Sequence, residues 1–204
     1  MATGATTADV LILPTGTANL ASVQAAFEKL GRATALADGP DQILKAGHVV
    51  LPGVGTFGAT MEGLRRAGFD QAIAERVRNG ASTLGMCVGL QVMFETSEES
   101  PEAVGLGAVS GKVGRFNDEV RVPQFGWNRI EPEAGCRYLK PGYAYFANSY
   151  RSLTAPGCTT ATALHGERFV AAFEREGVLA CQFHPELSGA FGHRLIQRWL
   201  EGKG

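Results

Sequence analysis

Cys87 lies in the segment Gly85-Met86-Cys87-Val88-Gly89, where glycines stand two residues before and two residues after the thiol. An apolar run precedes this segment and a helical pattern follows it, which predicts a tight strand-to-helix turn. A nucleophile on such a turn needs small neighbours, because its backbone crowds the chain on both sides. The helix start also places positive partial charge near the sulfur and favours the thiolate. The pattern indicates a nucleophilic cysteine; the alternative is a buried cysteine in a glycine-rich turn.

The segment 182–186, Gln-Phe-His-Pro-Glu, supplies a candidate base and a candidate orienting acid. His184 and Glu186 are two residues apart, so their side chains would share one face of an extended segment, and Pro185 disfavours a helix there. A carboxylate could then hold the imidazole in one tautomer while its other nitrogen faces a thiol. The alternative is a hydrogen-bonded pair at the surface, but the cysteine turn elsewhere in the chain favours the catalytic interpretation.

A third candidate is the turn Pro52-Gly53-Val54-Gly55, which follows another predicted strand. Ligand sites in open α/β sheets lie beyond such strand ends. The glycines let backbone N–H groups approach a ligand closely, as the oxyanion of a tetrahedral acyl intermediate requires. An ordinary glycine-rich turn is the alternative. The turn matches neither GxGxxG nor GxxxxGK[ST], so a nucleotide site has no support.

These residues need a scaffold that brings distant segments together, and the first half of the chain predicts one. Short apolar runs suited to buried strands alternate with helical patterns. Strands are expected at 9–13, 33–36, 48–51 and 83–86, and helices at 20–30, 40–46, 57–66 and 69–79. This alternation predicts an α/β fold with an open, mostly parallel sheet flanked by helices and connected by right-handed crossovers.

The second half predicts an antiparallel, β-rich portion. Strand-like segments separated by Gly, Pro and Asn turns are expected at 106–116, 121–130, 143–150, 159–164, 169–174 and 179–183, before a closing helix at 189–201. No repeat, low-complexity tract or linker interrupts the chain, so residues 1–204 are predicted to form a single domain. Residues 1–8 are expected to be a loose tail.

Composition argues against several classes of function. The 204 residues are 45% hydrophobic with a net charge of −1, which indicates neither a nucleic acid nor a membrane surface as partner. No apolar run reaches membrane-spanning length. The four cysteines form no CxxC pair and match no zinc spacing, so no metal and no cofactor is predicted. A reduced, cytoplasmic protein is the simplest interpretation.

The cysteine turn at 85–91 and the His-Pro-Glu segment at 184–186 together resemble the class I, or triad, glutamine amidotransferases. Within that class, the chain is similar over nearly its whole length to the glutaminase subunits of imidazole glycerol phosphate synthase. The further stretches that carry this similarity are 16–23, 51–58, 97–99, 122–128, 145–150 and 182–189. The triad motifs specify the class, whereas the Gly-Trp-Asn and Tyr-Phe-x-x-Ser-Tyr segments specify the narrower group.

The resemblance implies a role for each matching residue. Cys87 would attack the glutamine carboxamide and form a thioester, His184 would serve as base and then as acid for the leaving ammonia, and Glu186 would orient His184. Backbone groups would form the oxyanion site at Gly53, Val54 and Val88. The residues expected to line the glutamine pocket are Gln91, Glu95, Asn148, Ser149 and Tyr150.

The same resemblance implies a partner. Ammonia would pass to a (β/α)8-barrel cyclase subunit, which uses it to make imidazole glycerol phosphate and aminoimidazole carboxamide ribotide in histidine biosynthesis. The residues expected to face this subunit in a heterodimer are Asn19, Gln124, Trp127 and Asn128. The oxyanion segment is expected to be poorly arranged until the partner and its ligand are bound, since glutamine hydrolysis without an acceptor is futile.

The chain departs from the narrower group at Gln124 and Asn148, where histidine is common and where neither amide can take a proton near neutral pH. Its first loop has Pro14-Thr15-Gly16 where Asp-Tyr-Gly is common. Three other functions stay open: an ammonia donor for a different synthase, a stand-alone γ-glutamyl hydrolase, and a non-catalytic subunit with this fold. The Gly-Trp-Asn segment argues against the first, and the intact triad argues against the last.

Overall fold

A computed structural model describes residues 8–16 and 19–202 of the chain. Its strands are β1 (Val10–Ile12), β2 (Thr34–Leu36), β3 (His48–Leu51), β4 (Thr83–Met86), β5 (Thr96–Ser97), β6 (Lys112–Arg115), β7 (Gln124–Pro132), β8 (Gly142–Asn148), β9 (Tyr150–Arg151), β10 (Thr159–His165), β11 (Glu167–Arg175) and β12 (Val178–Cys181). Its helices are α1 (Leu20–Glu28), α2 (Pro40–Lys45), α3 (Phe57–Arg66), α4 (Asp70–Arg78), α5 (Val88–Gln91) and α6 (Gly189–Glu201), and a 3-10 turn covers Pro185–Leu187.

One large mixed sheet runs through both halves of the chain. Among the described residues, nine strands form it in the order β2-β1-β3-β4-β12-β11-β10-β7-β8, and β5, β6 and β9 form a small second sheet. Each neighbouring pair from β2 to β12 is parallel, whereas the pairs from β12 to β8 are antiparallel. The predicted α/β fold with a parallel first half and an antiparallel portion is therefore confirmed.

The strand order places three candidate segments side by side. β4 lies between β3 and β12 and is parallel to both, so the carboxyl ends of the three strands meet at one edge of the sheet. β3 leads into the turn 52–55, β4 leads into Cys87, and β12 leads into the segment 182–186. We call this meeting of strand ends the catalytic edge, and it lies where open α/β sheets place their ligand sites.

Two apolar cores cover the two faces of the sheet, because successive side chains of a strand point to opposite faces. On one face, α2, α3 and α4 contribute buried residues such as Ile43, Phe57 and Ile73. On the other face, α1 and α6 contribute Phe27 and Trp199. Parallel strands need this cover on both faces, and it fixes the three strand ends of the catalytic edge from both sides.

Short polar residues and glycine set the ends of the helices. The Thr56 hydroxyl accepts the N–H of Ala59 at the start of α3, and the Asn19 side chain accepts the N–H of Ser22 at the start of α1. Such caps satisfy N–H groups that have no carbonyl within the helix. α6 ends where Gly202 adopts the left-handed conformation at φ 62, which glycine enters at low cost.

Most predicted elements are confirmed, and β3, α3, β4 and α6 have the predicted bounds. The strand predicted at 106–116 is wrong over its first half, because β6 covers only Lys112–Arg115. Gly107 adopts φ 57, and the N–H groups of Leu106 and Ala108 bond to carbonyls at the end of α5 rather than to a strand. The apolar pattern there reflects a buried loop. Residues 1–7 of the predicted tail lie outside the described residues.

Candidate active site

Cys87 occupies the turn between β4 and α5 in a strained conformation. Its φ of 52° and ψ of −110° lie in a region that costs a residue with a Cβ about 1–3 kcal/mol. Its N–H donates to the carbonyl of Cys181 at 2.7 Å, which ties the turn to the end of β12. The residue is 5% exposed. The tight strand-to-helix turn predicted around this thiol is confirmed.

The two flanking glycines are required by close packing. A Cβ on Gly89 would collide with the carbonyl oxygen of Leu51, at the end of β3. A Cβ on Gly85 would lie 2.8 Å from Cε of Met93 and 3.1 Å from the carbonyl oxygen of Gly89. A larger residue at either position would push α5 away from the strands, and Cys87 would move with it.

His184 lies just beyond β12, where its N–H donates to the carbonyl of Tyr145 at 2.9 Å. Its Nδ1 lies 2.8 Å from Oε1 of Glu186, so the two side chains pair as the sequence predicts. The backbone between them differs from the extended segment that we predict, because Pro185–Leu187 forms a 3-10 turn. Pro185 takes the first position of that turn, where a missing N–H costs no hydrogen bond. The turn, rather than strand alternation, directs the carboxylate towards the ring.

The imidazole of His184 is buried between Cys87 and Glu186. Burial lowers the pKa of His184, because it penalises the charged ring. Hydrogen bonds to Cys87 and Glu186, with the negative charges of both groups, outweigh burial and raise the pKa of His184 from 6.5 to about 10. The raised pKa favours the protonated ring, so a positively charged group faces the Cys87 side chain.

Gln182 completes a buried chain of hydrogen bonds to which the sequence pattern assigned no role. Its Nε2 lies 3.8 Å from Sγ of Cys87. The Oε1 of Gln182 accepts a hydrogen bond from Nε2 of Gln91 at 3.0 Å. The Nε2 of Gln91 also donates to the carbonyl of Tyr150 at 3.0 Å. Gln182 is fully buried, so its amide is fixed and its donor is aimed at the thiol. The position of Gln182 two residues before His184 is the sequence feature that could have identified its role.

The predicted oxyanion segment lies against the start of α5. A Cβ on Gly53 would be 2.8 Å from the Cβ of Val88, so the two segments are in close contact. Val54, Gly55 and Val88 line the cavity beside Cys87, whereas Gly53 is set back from it. Val88 is the first residue of α5, where N–H groups have no carbonyl within the helix. The two segments predicted to supply oxyanion donors therefore both border the cavity beside the sulfur.

A cavity of about 240 Å³ opens beside Cys87 and His184. Sites for drug-sized ligands begin at about 300 Å³, so this cavity suits a small metabolite. The structure brings four of the five residues predicted for a glutamine pocket to the cavity wall: Gln91, Asn148, Ser149 and Tyr150. Amide, hydroxyl and backbone groups thus converge on the space in front of the thiol.

The acidic residue of the cavity is Glu99 and not Glu95, which corrects the predicted pocket. Glu95 is exposed and its Oε2 accepts the N–H of Gly111 at 2.8 Å. Glu99 lines the cavity, and its Oε2 accepts the N–H of Phe57 at 2.7 Å. The sequence has several glutamates here, and only the path of the chain after α5 decides which one turns inward.

Gln124 and Asn148 lie opposite each other across β7 and β8. Gln124 is 4% exposed, which corrects the expectation that its side chain faces a partner. Both of its amide atoms, and Oδ1 of Asn148, are buried without a hydrogen-bond partner in the described part of the chain. Such an amide costs about 1–3 kcal/mol when nothing satisfies it. Asn148 also lines the cavity, so this unsatisfied pair adjoins the catalytic groups.

Two other residues expected at an interface lie at the surface in different ways. Asn19 is exposed and caps α1. Asn128 is half-buried, and its Nδ2 donates to the carbonyl of Leu164 at 2.9 Å. Asn128 therefore stabilises the sheet itself, whereas Asn19 stabilises the start of α1.

An aromatic face covers the outer side of β7 and β8. It consists of Phe125, Trp127, Tyr143 and Tyr145, of which the first three are 72%, 58% and 60% exposed. The Tyr145 ring packs edge-on against both Phe125 and Trp127, with centroids 5.7 and 6.0 Å apart. Tyr145 also accepts the N–H of His184 through its carbonyl, so the aromatic face adjoins the catalytic edge.

The three remaining cysteines lack these features. Burial is the main cause that raises the pKa of each thiol, to about 11 for Cys136 and above the ordinary value for Cys158 and Cys181. A raised pKa keeps a thiol protonated and poorly nucleophilic. No disulfide joins the cysteines, all of which lie in the described residues.

Other features of the described residues carry no comparable chemistry. A larger depression of about 420 Å³ lies between α3 and α4, and its side chains include Arg65, Asp70 and Arg78 but no nucleophile. No three or more His, Cys, Asp or Glu side chains within 8–16 and 19–202 are placed to hold a metal ion. In the same ranges, no helix combines the length and apolarity needed to span a bilayer.

The fold and the buried cysteine–histidine–glutamate set define a cysteine-dependent hydrolase built on an α/β sheet. The sequence model of the glutamine amidotransferase class-I family matches residues 17–201, and the chain belongs to that family. It is 37% identical over 205 residues to imidazole glycerol phosphate synthase subunit HisH of Chlorobaculum tepidum, covering 94% of this chain and 99% of that protein.

A longer relative shows the same similarity over part of its length. The chain is 35% identical over 202 residues to the chloroplastic imidazole glycerol phosphate synthase hisHF of Arabidopsis thaliana; the match covers 95% of this chain but only 34% of that protein. Among solved structures, a glutamine amidotransferase crystal structure has a TM-score of 0.74 at 23% identity, covering 95% of this chain and 97% of the other. That structural likeness concerns the fold alone.

Proposed function

We propose that this chain is the glutaminase subunit of an imidazole glycerol phosphate synthase. It hydrolyses glutamine to glutamate and ammonia and supplies the ammonia to a cyclase subunit in histidine biosynthesis. The observation that carries the proposal is the meeting of Cys87, His184 and Glu186 at the catalytic edge, beside a cavity sized for a small metabolite. Family membership and 37% identity to a HisH subunit over nearly the whole chain support the choice of synthase.

Glutamine enters with its carboxamide towards the thiol. The α-ammonium group needs a carboxylate, and Glu99 is the acidic residue of the cavity wall. Gln91, Ser149 and Tyr150 line the same wall and offer polar contacts along the substrate. This placement leaves the carboxamide carbon in front of Cys87, as a near-attack geometry requires.

The Cys87 thiolate attacks the carboxamide carbon and forms a carbon–sulfur bond, and the carbonyl electron pair moves onto oxygen. The resulting oxyanion is stabilised by backbone N–H groups of Val88 and of the turn 53–55. These donors belong to α5 and to the segment after β3, which are in close contact. Binding of the partner and its ligand completes the arrangement of these donors, which couples glutamine hydrolysis to the presence of an acceptor.

The imidazolium of His184 then gives its proton to the carboxamide nitrogen, the carbon–nitrogen bond breaks, and ammonia leaves a thioester on Cys87. Water attacks this thioester while neutral His184 accepts a proton from it. The carbon–sulfur bond breaks, and glutamate and the thiolate are regenerated. Glu186 keeps the ring oriented through both steps by its hydrogen bond to Nδ1.

We place the cyclase subunit, a (β/α)8 barrel in a heterodimer, on the aromatic face. Exposed aromatic side chains are typical anchors of protein interfaces. The carbonyl of Tyr145 accepts the N–H of His184, and the Tyr145 ring packs against Trp127, so a partner seated there would receive ammonia close to its source. The longer Arabidopsis relative, of which the match covers only 34%, supports a functional association with a further part of the synthase.

The proposal treats residues 1–204 as one amidotransferase domain that works in the cytoplasm. The thiols at 87, 136, 158 and 181 are all free in the structure, which suits a reducing compartment. The chemistry assigned to Cys87 also needs a reduced sulfur. No step above requires a metal or an organic cofactor.

The decisive experiment measures glutamate formation by the purified chain, first alone and then with a cyclase subunit and its nucleotide ligand. We expect strong stimulation by the partner and loss of activity in Cys87→Ala under both conditions. High activity without the partner would favour a stand-alone γ-glutamyl hydrolase. Absence of activity in both conditions, with Cys87→Ala behaving like the wild type, would contradict the enzyme assignment.

A further inference from the structure

The start of α3 is held by a segment that lies 42 residues further along the chain. The N–H of Phe57 donates to Oε2 of Glu99 at 2.7 Å, and the N–H of Gly58 donates to Oγ of Ser100 at 3.0 Å. These are the first two N–H groups of α3, which have no carbonyl within the helix. Residues 97–100 therefore complete the helix start, and we call them the clamp.

The clamp is itself rigid. Ser97 is 3% exposed, pairs with β6, and accepts the N–H of Glu99 through its hydroxyl at 3.2 Å. Ser100 is 7% exposed, and its carbonyl accepts the N–H of Ala103 at 2.9 Å. Hydrogen bonds of the buried Ser97 and Ser100 thus fix the segment that holds the start of α3.

The contact between the clamp and α3 leaves no spare room. A Cβ on Gly58 would lie 2.8 Å from Oγ and 3.1 Å from Cβ of Ser100. The close approach lets the Ser100 hydroxyl reach the Gly58 N–H directly. A residue larger than glycine at position 58 would displace that hydroxyl.

The position of α3 matters because the oxyanion turn comes directly before it. Val54 and Gly55 line the cavity beside Cys87, and α3 begins at Phe57. A shift at the helix start therefore moves the turn that carries the oxyanion donors. Ser100 is not part of the cavity wall, so its hydroxyl acts through the start of α3 and not by direct contact with the substrate.

We infer that Ser100 is a positioning residue, whose hydroxyl holds the start of α3 and thereby sets the oxyanion turn at its working distance from Cys87. The inference rests on the proposed glutaminase activity. It assigns the hydroxyl an effect on the tetrahedral intermediate and not on substrate binding. Glu99 acts on the same helix start, but it also faces the substrate, so Ser100 is the residue that separates the two effects.

The test uses Ser100→Ala in the full chain with its cyclase partner and nucleotide ligand. Loss of the acceptor leaves the half-buried Gly58 N–H without its protein partner, and we expect the turn to shift. We expect kcat for glutamine hydrolysis to fall about 10- to 100-fold, since small misplacements and lost oxyanion donors act on this scale. The KM for glutamine should stay within about twofold.

Two further measurements separate positioning from general damage. Iodoacetamide alkylates Cys87 by displacing iodide, a reaction without an oxyanion, so its rate should not change in Ser100→Ala. The matched control is Ser152→Ala, another buried serine, whose hydroxyl donates to the carbonyls of Lys112 and Thr154. We expect normal kcat in this control.

Gly58→Ala attacks the same contact from the other side and should lower kcat in the same way, while alanine itself favours the helix. It decides the question if Ser100→Ala does not fold. Unchanged kcat in the folded variants, or alkylation that falls together with kcat, overturns the inference. A wild-type complex without glutaminase activity contradicts the proposed function instead, and this result is seen before any variant is compared.

Discussion

The catalytic edge and the aromatic face adjoin each other but differ in how far the described chain buries their side chains. At the catalytic edge, Cys87 and His184 are each 5% exposed and Gln182 is fully buried. On the aromatic face, Phe125 and Trp127 are 72% and 58% exposed. The first region is held by backbone contacts and hydrogen bonds within one sheet, whereas the second presents apolar area that the described chain leaves uncovered.

The difference extends to two buried glutamines. Gln182 at the catalytic edge is bonded to Gln91 and approaches the Cys87 sulfur. Gln124, under the aromatic face, has neither amide atom satisfied in the described part of the chain. The hydrogen bonds of the catalytic edge are thus completed within the described chain, whereas the buried amide beneath the aromatic face is not.

The largest effect is expected from Glu186→Gln, which breaks the catalytic edge. Loss of the orienting charge should reduce kcat about 10⁴-fold, on the scale seen when the acid of a triad is replaced by its amide. Because Glu186 helps to raise the pKa of His184 to about 10, the alkaline limb of the pH–rate profile should move to lower pH. Rates measured from pH 6 to 11 test this, with exposed Glu28→Gln as the control. An unmoved alkaline limb contradicts the assignment.

The raised pKa of His184 also makes the stability of the protein depend on pH. A raised pKa means that folding stabilises the protonated ring, so the contribution of His184 is complete below pH 6.5 and is lost as the pH rises through about 10. Denaturant unfolding between these pH values should show the wild type losing stability more steeply than Glu186→Gln. Equal slopes would show that Glu186 does not hold the proton.

Gly89→Ala tests whether the strand-to-helix turn at Cys87 depends on close packing. The added Cβ collides with the carbonyl oxygen of Leu51, so we expect a loss of about 1–3 kcal/mol in the free energy of unfolding, as overpacking typically costs. Glutaminase activity should fall as well, because α5 moves. Gly47→Ala is the matched control, since its Cβ would meet open space. Equal stabilities of the two variants would contradict the steric account.

Trp127→Ala tests the aromatic face. Because the side chain is 58% exposed, we expect the free energy of unfolding to change by less than about 0.5 kcal/mol. Stimulation of glutaminase by the cyclase should fall about tenfold, in proportion to weakened binding, while basal activity stays unchanged. Leu44→Ala, at an exposed apolar residue of α2, should leave both properties unaltered. Full stimulation of Trp127→Ala by the cyclase would show that the interface does not include the aromatic face.

The smallest effect is expected from Gln124→Met, paired with Gln182→Met. Removing an amide that nothing satisfies should leave stability unchanged or raise it by up to about 1 kcal/mol, whereas removing the bonded amide of Gln182 should cost about 1–3 kcal/mol. Chemical denaturation of both variants gives the comparison. A clear loss in Gln124→Met would show that this amide has a partner, such as an ordered water.

Local rules predicted the parts of the site that follow strand ends. The strand-to-helix turn at Cys87 follows from the spacing of its glycines. The pairing of His184 with Glu186 follows from their residue types. The 3-10 turn at Pro185–Leu187 was not predicted, because alternation was assumed to continue past β12.

Tertiary contacts decided what the sequence alone could not. Glu99 rather than Glu95 faces the cavity because the chain after α5 folds back on α3 through the clamp. Gln124 is buried because it starts β7 opposite Asn148, a pairing of residues that sequence periodicity does not specify. The loop before β6 was mistaken for strand because burial, and not sheet pairing, explains its apolar residues.

The placement of β4 beside β12 has a consequence for how the enzyme is made. Cys87 and Gln182 are 95 residues apart, and His184 follows still later. On a ribosome, Cys87 emerges long before His184, and β4 lacks its β12 neighbour until that later strand has been made. A nascent chain that ends before β12 therefore carries the Cys87 thiol without the imidazole that lies beside it in the fold.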